Sequence, residues 1–184
     1  LLSETRGKEA SGLCGMSDHY MQVVKADIRA KKLVKSVQFS DCVKAFSPAN
    51  NKLLMGYTHM VTDREAVYSD NNQPVIEHDL VMIYNGIIVN EQELWKRYSA
   101  MTGKVQGETE ILAVLMEKYD YKKDLFTAFR SSLREIEGSV SVAIVDRKSD
   151  WLILYTNTGS LYVAYSKDRT DLVFASERYI LERF

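Results

Sequence analysis

The sequence predicts an α+β domain built in layers, and three features of its patterning carry that prediction. Helical stripes cluster in the middle of the chain, and after Gly138 the hydrophobic period changes from that of a helix to the alternation of a strand. The segment WLILYT is apolar on both faces, so the sheet that holds it should be covered on both sides. The connections RKSD and NTG are of hairpin length and make the strands they join antiparallel neighbours. Antiparallel sheets covered on both faces, with helices grouped mid-chain, imply stacked layers.

The elements follow in order. The first half reads as short strands over residues 11–16, 19–25, 53–61 and 80–89, with a helix near 27–36 that carries Ala30, Val34 and Val37 at helical spacing. Asn90 followed by Glu93 resembles a capping box, and Leu94, Tyr98 and Met101 then recur on one helical face. A second helix begins at Glu108 or Thr109 and aligns Ile111, Leu112, Leu115, Met116 and Tyr119. A third, over 124–136, aligns Leu125, Phe129, Leu133 and Ile136; these stripes read as core. SVSVAIVD places Val140, Val142 and Ile144 on one face of a strand. WLILYT, SLYVAYS and LVFAS follow as strands before a helical turn over 177–181.

Composition excludes several function classes. A chain of 184 residues with 46% hydrophobic and 27% charged residues fits one globular domain. Its 24 basic and 25 acidic residues nearly cancel, which leaves no electrostatic footprint for nucleic acid or an anionic membrane. The short basic run at Arg29, Lys31 and Lys32 reads as a solvated helix face. No apolar stretch reaches the length of a membrane span, and LLSETRGKEASG is too polar for a signal peptide, so the expected location is the cytoplasm. Glycine and proline number 9 and 2, so no flexible linker divides the chain. Cys14 and Cys42 are too few for a disulfide framework and have no metal-ligand spacing with His19, His59 or His78; no metal and no cofactor are expected. The chain lacks an initiating methionine and its ends lie within patterned sequence, so the natural domain is expected to extend past both.

The octapeptide IYNGIIVN, residues 83–90, admits two readings. Asn85-Gly86 between apolar residues is a strong hairpin signal, because both residues accept positive φ. The flanks fit poorly, since Ile87, Ile88 and Val89 make a short return strand. The same atoms could instead supply a side-chain amide and an unhindered main-chain N–H converging on one oxygen, as in an oxyanion hole. From the octapeptide alone both stay open.

Four segments in this order resemble the glutaminase domain of class II glutamine amidotransferases, the N-terminal-nucleophile (Ntn) hydrolase family that includes glucosamine-6-phosphate synthase and asparagine synthetase. They are RGKEASG at 6–12, GYTHMVT at 56–62, NNQPV with IYNGIIVNEQEL at 71–94, and GETE at 107–110. EGSVSVAIVD, TNTGSLYVA and LVFASERYIL resemble the family's closing strands and helix, so the likeness covers nearly all of residues 1–184 as a single domain. It implies a four-layer αββα sandwich of two antiparallel sheets and an activity that releases ammonia from L-glutamine, or a related small molecule. The ammonia would pass to an acceptor, a synthetase or sugar isomerase domain, in cis or in trans. No nucleic-acid or membrane partner is implied, and a homo-oligomer is left open.

The resemblance also assigns roles. Asn85 Nδ2 and the Gly86 N–H would form the oxyanion hole. The family's nucleophile is an N-terminal cysteine whose α-amine serves as base, and it would precede Leu1. Cys14-Gly15 imitates that opening, but it follows RGKEASG, where the family has a strand, and Cys14 reads as a small buried strand residue. Arg6 would lie beside the nucleophile; a structural ion pair is its plain alternative. The substrate clamp departs from the family: His59 stands where an arginine would grip the carboxylate, and imidazole cannot offer the bidentate fork. Thr62 matches the family's threonine and could donate its hydroxyl. Glu108 stands where an aspartate would receive the substrate ammonium, one methylene longer, although it could simply favour its helix N-terminus. His59 could likewise be an ordinary hydrogen-bonded sheet residue. These departures admit a rival expectation, a catalytically degenerate domain serving as a binding or regulatory module, and a third, an amide substrate lacking the α-carboxylate.

Overall fold

A computed structural model describes residues 2–17, 20–45, 51–60, 72–101, 107–149 and 151–183. It contains helices and antiparallel sheets, the α+β class read from the sequence. The chain forms two compact units, Leu1–Pro74 and Val75–Phe184.

In the first unit, β1 (Ala10–Ser17) lies between β2 (Met21–Ala26) and β3 (Asn51–His59), antiparallel to both. As the central strand β1 is buried from Ala10 to Met16, which explains its small residues Ala10, Ser11, Gly12, Cys14 and Gly15. The single helix expected over 27–36 is two helices, α1 (Ala30–Leu33) and α2 (Val37–Ala45). Lys35 and Ser36 donate their N–H groups to Lys32 and Leu33 carbonyls, tightening the chain out of the α-helix, and Ser36 Oγ then accepts the Phe39 N–H to start α2. Leu13 and Cys42 pack together, with Val24 and Phe39 against them.

In the second unit, the antiparallel sheet runs β4 (Val75–Glu77), β5 (Leu80–Ile88), β6 (Gly138–Asp146), β7 (Trp151–Thr156). Met82, Tyr84 and Ile88 of β5, Val140, Val142 and Ile144 of β6 and Ile153 of β7 form one core with α3 (Glu91–Arg97), α4 (Glu108–Lys118) and α5 (Leu125–Glu135). The predicted stripes of α4 and α5 are in that core, and Asp124 caps α5 by accepting the Thr127 N–H at 3.0 Å. Central strand β6 is buried on both faces from Val140 to Asp146, as alternation plus coverage requires, whereas β7 is only half-buried beyond Ile153. Glu135, at the end of α5, collects donors from the ends of two other helices, α3 and α4: Lys118 Nζ at 2.5 Å, the Tyr98 hydroxyl at 2.5 Å, the Tyr119 hydroxyl, and Arg97 at 3.3 Å.

Of the two open readings of Asn85-Gly86, the hairpin turn is excluded: the pair lies inside β5, where Asn85 pairs with Ser141 and Gly86 with Val140. The actual two-residue turn is His78-Asp79, with Glu77 paired to Leu80 and His78 at φ 53°. Two expectations need correction. The capping box does not form, because Asn90 spends its side chain elsewhere: Nδ2 donates to the Glu135 carbonyl at 2.8 Å and Oδ1 accepts from the Glu137 N–H at 3.0 Å. The closing strands do not all share one sheet. β8 (Tyr162–Tyr165) and β9 (Leu172–Ala175) make a separate two-stranded ribbon with α6 (Arg178–Glu182) against it. The reason lies at Asn157, which brackets β6 by donating from its N–H to the Val140 carbonyl, accepting from the Val140 N–H and donating from Nδ2 to the Gly138 carbonyl. The chain after β7 therefore keeps following β6 instead of folding back on β7.

Candidate active site

The second unit holds Asn85, Gly86 and Glu108. Strand alternation puts Tyr84, Gly86 and Ile88 toward the helical core and turns Asn85 and Ile87 to the opposite face, where both are exposed. No described residue hydrogen-bonds the Asn85 amide. Gly86 is opposite Val140, whose N–H and carbonyl both engage Asn157 on the far side of β6. In an antiparallel pair the main-chain groups of successive residues point alternately to the two sides, so the Gly86–Val140 pair is a non-bonded one. The Gly86 N–H is thus turned away from β6, toward the side where β4 reaches only as far as Met82.

Gly86 is required at this point by close approach. A Cβ there would lie 1.9 Å from the Ser139 carbonyl oxygen and 3.1 Å from the Tyr84 hydroxyl, which itself donates to that carbonyl at 2.9 Å. Burial, reinforced by the Glu108 and Glu91 charges, pushes the Tyr84 pKa well above the ordinary phenol value, so the hydroxyl stays a donor. Glu108, the first residue of α4, reaches back to the strand: its Oε1 accepts the Ile88 N–H at 2.7 Å. Burial raises the Glu108 pKa, the Ile88 bond opposes that, and Glu91 raises it further. The structure therefore brings Asn85, Gly86 and Glu108 to one end of β5.

The first unit holds Arg6 and His59. Gly7 lets the chain lie on the end of β3: a Cβ there would be 2.0 Å from the His59 carbonyl carbon and 2.2 Å from the Met60 nitrogen. Arg6 is exposed beside this contact, and Thr58 Oγ1 pins the preceding turn by donating to the Ser3 carbonyl at 2.6 Å. Tyr57 shares a 3.0 Å hydrogen bond with His59 Nδ1, and the two rings stack. Burial lowers the His59 pKa, and the nearby Glu9 carboxylate partly restores it. Thr62 lies outside the described residues. Cys14 and Cys42 are 0% exposed, and burial raises the Cys42 thiol above its ordinary value. Among the described residues no cluster of His, Cys, Asp and Glu could hold a metal ion, and no helix is long and apolar enough to cross a membrane.

A pH prediction follows from His59. Folding lowers its pKa, so on acidification the unfolded chain takes the proton first, and stability present above the ordinary histidine value is lost as pH falls through it. The expected Cε1–H titration midpoint of His59, read by NMR, lies below that of a free histidine, and Glu9→Gln moves it lower still. A midpoint at or above the free value contradicts this account.

Sequence reasoning found Asn85 and Gly86 but missed Tyr84 and Ser139, which shape the ground around them. Tyr84 was visible as the aromatic preceding the pair, yet its partner is 55 positions away and no local pattern announces it.

Comparison with known proteins gives consistent results. The family model described as glutamine amidotransferase domain matches residues 62–183. The 7-cyano-7-deazaguanine synthase of Saccharolobus solfataricus is 34% identical over 109 residues, 58% of this chain and 23% of that protein. The isomerizing glutamine–fructose-6-phosphate aminotransferase of Bartonella henselae is 26% identical over 170 residues, 90% of this chain and 26% of that protein. The chain thus spans about a quarter of the length of these relatives. Among solved structures, the glutamine phosphoribosylpyrophosphate amidotransferase from B. subtilis, complexed with ADP and GMP, superimposes over 98% of this chain and 38% of its own with a TM-score of 0.77 at 20% identity. The structure of an allosteric regulatory enzyme of purine biosynthesis does so with a TM-score of 0.80 at 19% identity. These likenesses establish the fold, the α+β arrangement of Ntn-type amidotransferase domains.

Proposed function

The chain belongs to the glutamine amidotransferase domain family, and from that premise we propose that it binds L-glutamine and releases its side-chain nitrogen as ammonia for an acceptor domain, a synthetase or sugar isomerase, in cis or in trans. In this reading a cysteine thiolate, which the family resemblance places ahead of Arg6, attacks the glutamine amide carbon, and the carbonyl π pair moves onto oxygen. Asn85 Nδ2–H and the Gly86 N–H receive that oxyanion; collapse expels the nitrogen as ammonia once the cysteine α-amine has passed it a proton. Water then cleaves the thioester to glutamate. The roles carried over from the resemblance are Glu108 for the substrate ammonium, His59 and Thr62 for its carboxylate, and Arg6 beside the nucleophile. Buried reduced cysteines are compatible with a cytoplasmic setting.

The observation that carries the reading is Asn85 itself. A side-chain amide in mid-strand, unbonded by any described residue and exposed next to a glycine N–H turned off the ladder, has donors suited to a ligand oxygen. The test uses the complete gene product and L-glutamine, with ammonia and glutamate measured. Asn85→Ala is expected to lower kcat about a hundredfold with KM little changed, the signature of a donor that acts in the transition state. Wild-type turnover in that variant would reject the oxyanion role.

One observation favours a second reading, a degenerate binding or regulatory module. His59 is held by Tyr57 and has a lowered pKa, so near neutrality it offers a carboxylate no full cation. Glutamine binding with ordinary stoichiometry in calorimetry, accompanied by ammonia release, decides against the module; binding without release decides for it.

A further inference from the structure

The two main-chain donors that follow Gly86 both end on side chains. On the β6 side, the Ile87 N–H donates to Ser139 Oγ at 2.9 Å; on the other, the Ile88 N–H donates to Glu108 Oε1 at 2.7 Å. The Ser139 carbonyl accepts the Tyr84 hydroxyl at 2.9 Å. Ser139 is the register partner of Ile87, so its hydroxyl adds a side-chain acceptor at a point where the ladder already joins the two strands. Here the strand is gripped by side chains at positions 84, 87 and 88, on both sides of the one residue whose Cβ would strike Ser139.

We propose that Ser139, together with the Glu108 carboxylate, is a positioning residue for the Gly86 amide: the hydroxyl and the carboxylate hold the end of β5 so that the Gly86 N–H keeps one direction. The functional consequence rests on Gly86 acting as an oxyanion donor; the grip on the strand does not. A strand end with no described strand along one side frays unless its donors are satisfied, and a carboxylate acceptor makes a stronger bond than a neutral carbonyl. The helix that carries Glu108 and the strand that carries Ser139 thereby fix the same peptide from opposite directions. Glu108 has two tasks in this scheme, and they separate chemically: holding Ile88 needs an acceptor oxygen, whereas receiving an ammonium needs a charge.

Amide hydrogen exchange by NMR on the 184-residue chain, without glutamine, tests the proposal. Ser139→Ala is expected to speed exchange at Ile87 and Ile88 at least tenfold while Val142 and Ile144 of β6 stay unchanged, and Ser139→Thr to restore protection. Glu108→Ala is expected to do the same at Ile88, and Glu108→Gln, whose amide oxygen still accepts, to keep it. Unchanged protection in both alanine variants overturns the proposal, and so does acceleration spread equally through β6, which would mark a general loss of stability. The function proposed above fails separately: glutamine binding that survives Glu108→Gln removes the ammonium role and leaves the positioning role intact.

Discussion

Gly86→Ala is expected to remove turnover of glutamine altogether and to lower the unfolding midpoint. The methyl group would sit 1.9 Å from the Ser139 carbonyl oxygen, and the nearest flexible atom, the Tyr84 hydroxyl, is bonded to that same oxygen. Relief must therefore come from the main chain of β5 or β6, not from a side chain swinging aside. Overpacking of this kind costs roughly 1–3 kcal/mol. For a chain of this size that is on the order of 3–10 °C in Tm. The displaced peptide is also the one whose N–H is proposed to receive the oxyanion, so the activity loss should exceed the hundredfold expected for Asn85→Ala. Gly56→Ala is the control. Gly56 lies in β3, and a Cβ there meets only Gly12 O and Leu13 Cδ1 at 3.8 Å, ordinary contact. Replacing a strand glycine without a clash should stabilise by about 0.5–1 kcal/mol. If both alanine variants melt together, close approach is not what Gly86 provides.

The contrast between these glycines shows what the sequence could say. Both occur in apolar strand segments, and only the distance to Ser139 separates them. Periodicity made the helices legible because α4 and α5 bury stripes that are contiguous in the chain, and it made β6 legible because its alternation sits under a complete cover. It failed where a residue answers to a distant partner. Asn90 has the spacing of a cap, but its amide is claimed by residues 135 and 137. Asn157 looks like part of a turn, but it binds Val140 and so releases β8 and β9 into their own ribbon. The same holds at the site. Asn85-Gly86 stood out as a pair, yet whether it was a turn or a strand depended on Ser141 and Val140, more than fifty positions on. Glu108 was found through its place in GETE, and its bond to Ile88 had no sequence signal at all.

Glu135→Ala is expected to destabilise the protein by roughly 1–3 kcal/mol, the usual result of leaving hydrogen-bond donors without their acceptor in a half-exposed charge network. Glu135 is an unlikely residue by local rules, since a carboxylate in the last turn of a helix faces the negative end of the macrodipole. Its side chain is only 13% exposed. Burial alone would raise its pKa, but bonds from Lys118, Tyr119 and Tyr98 outweigh burial and hold it at about 2. Removing the carboxylate leaves the Lys118 ammonium, at 4.6 and 4.5 Å from the ring centroids of Tyr98 and Tyr119, without its anion. The pH dependence has a definite sign. The folded pKa lies below the ordinary carboxylate value, so the unfolded chain binds the proton more readily. The carboxylate's contribution, reduced by solvent screening at its half-exposed partners, is present above the unfolded value and drains away as pH falls toward about 2. Glu135→Gln keeps an acceptor and loses the charge, so it should cost less near neutrality and flatten the fall in stability between pH 5 and 2. Urea unfolding at a series of pH values reads both quantities. A glutamine variant whose stability falls with acid as steeply as the parent's would mean that the three helices are joined by packing of Leu115, Leu112 and Phe129, with the ion network a bystander.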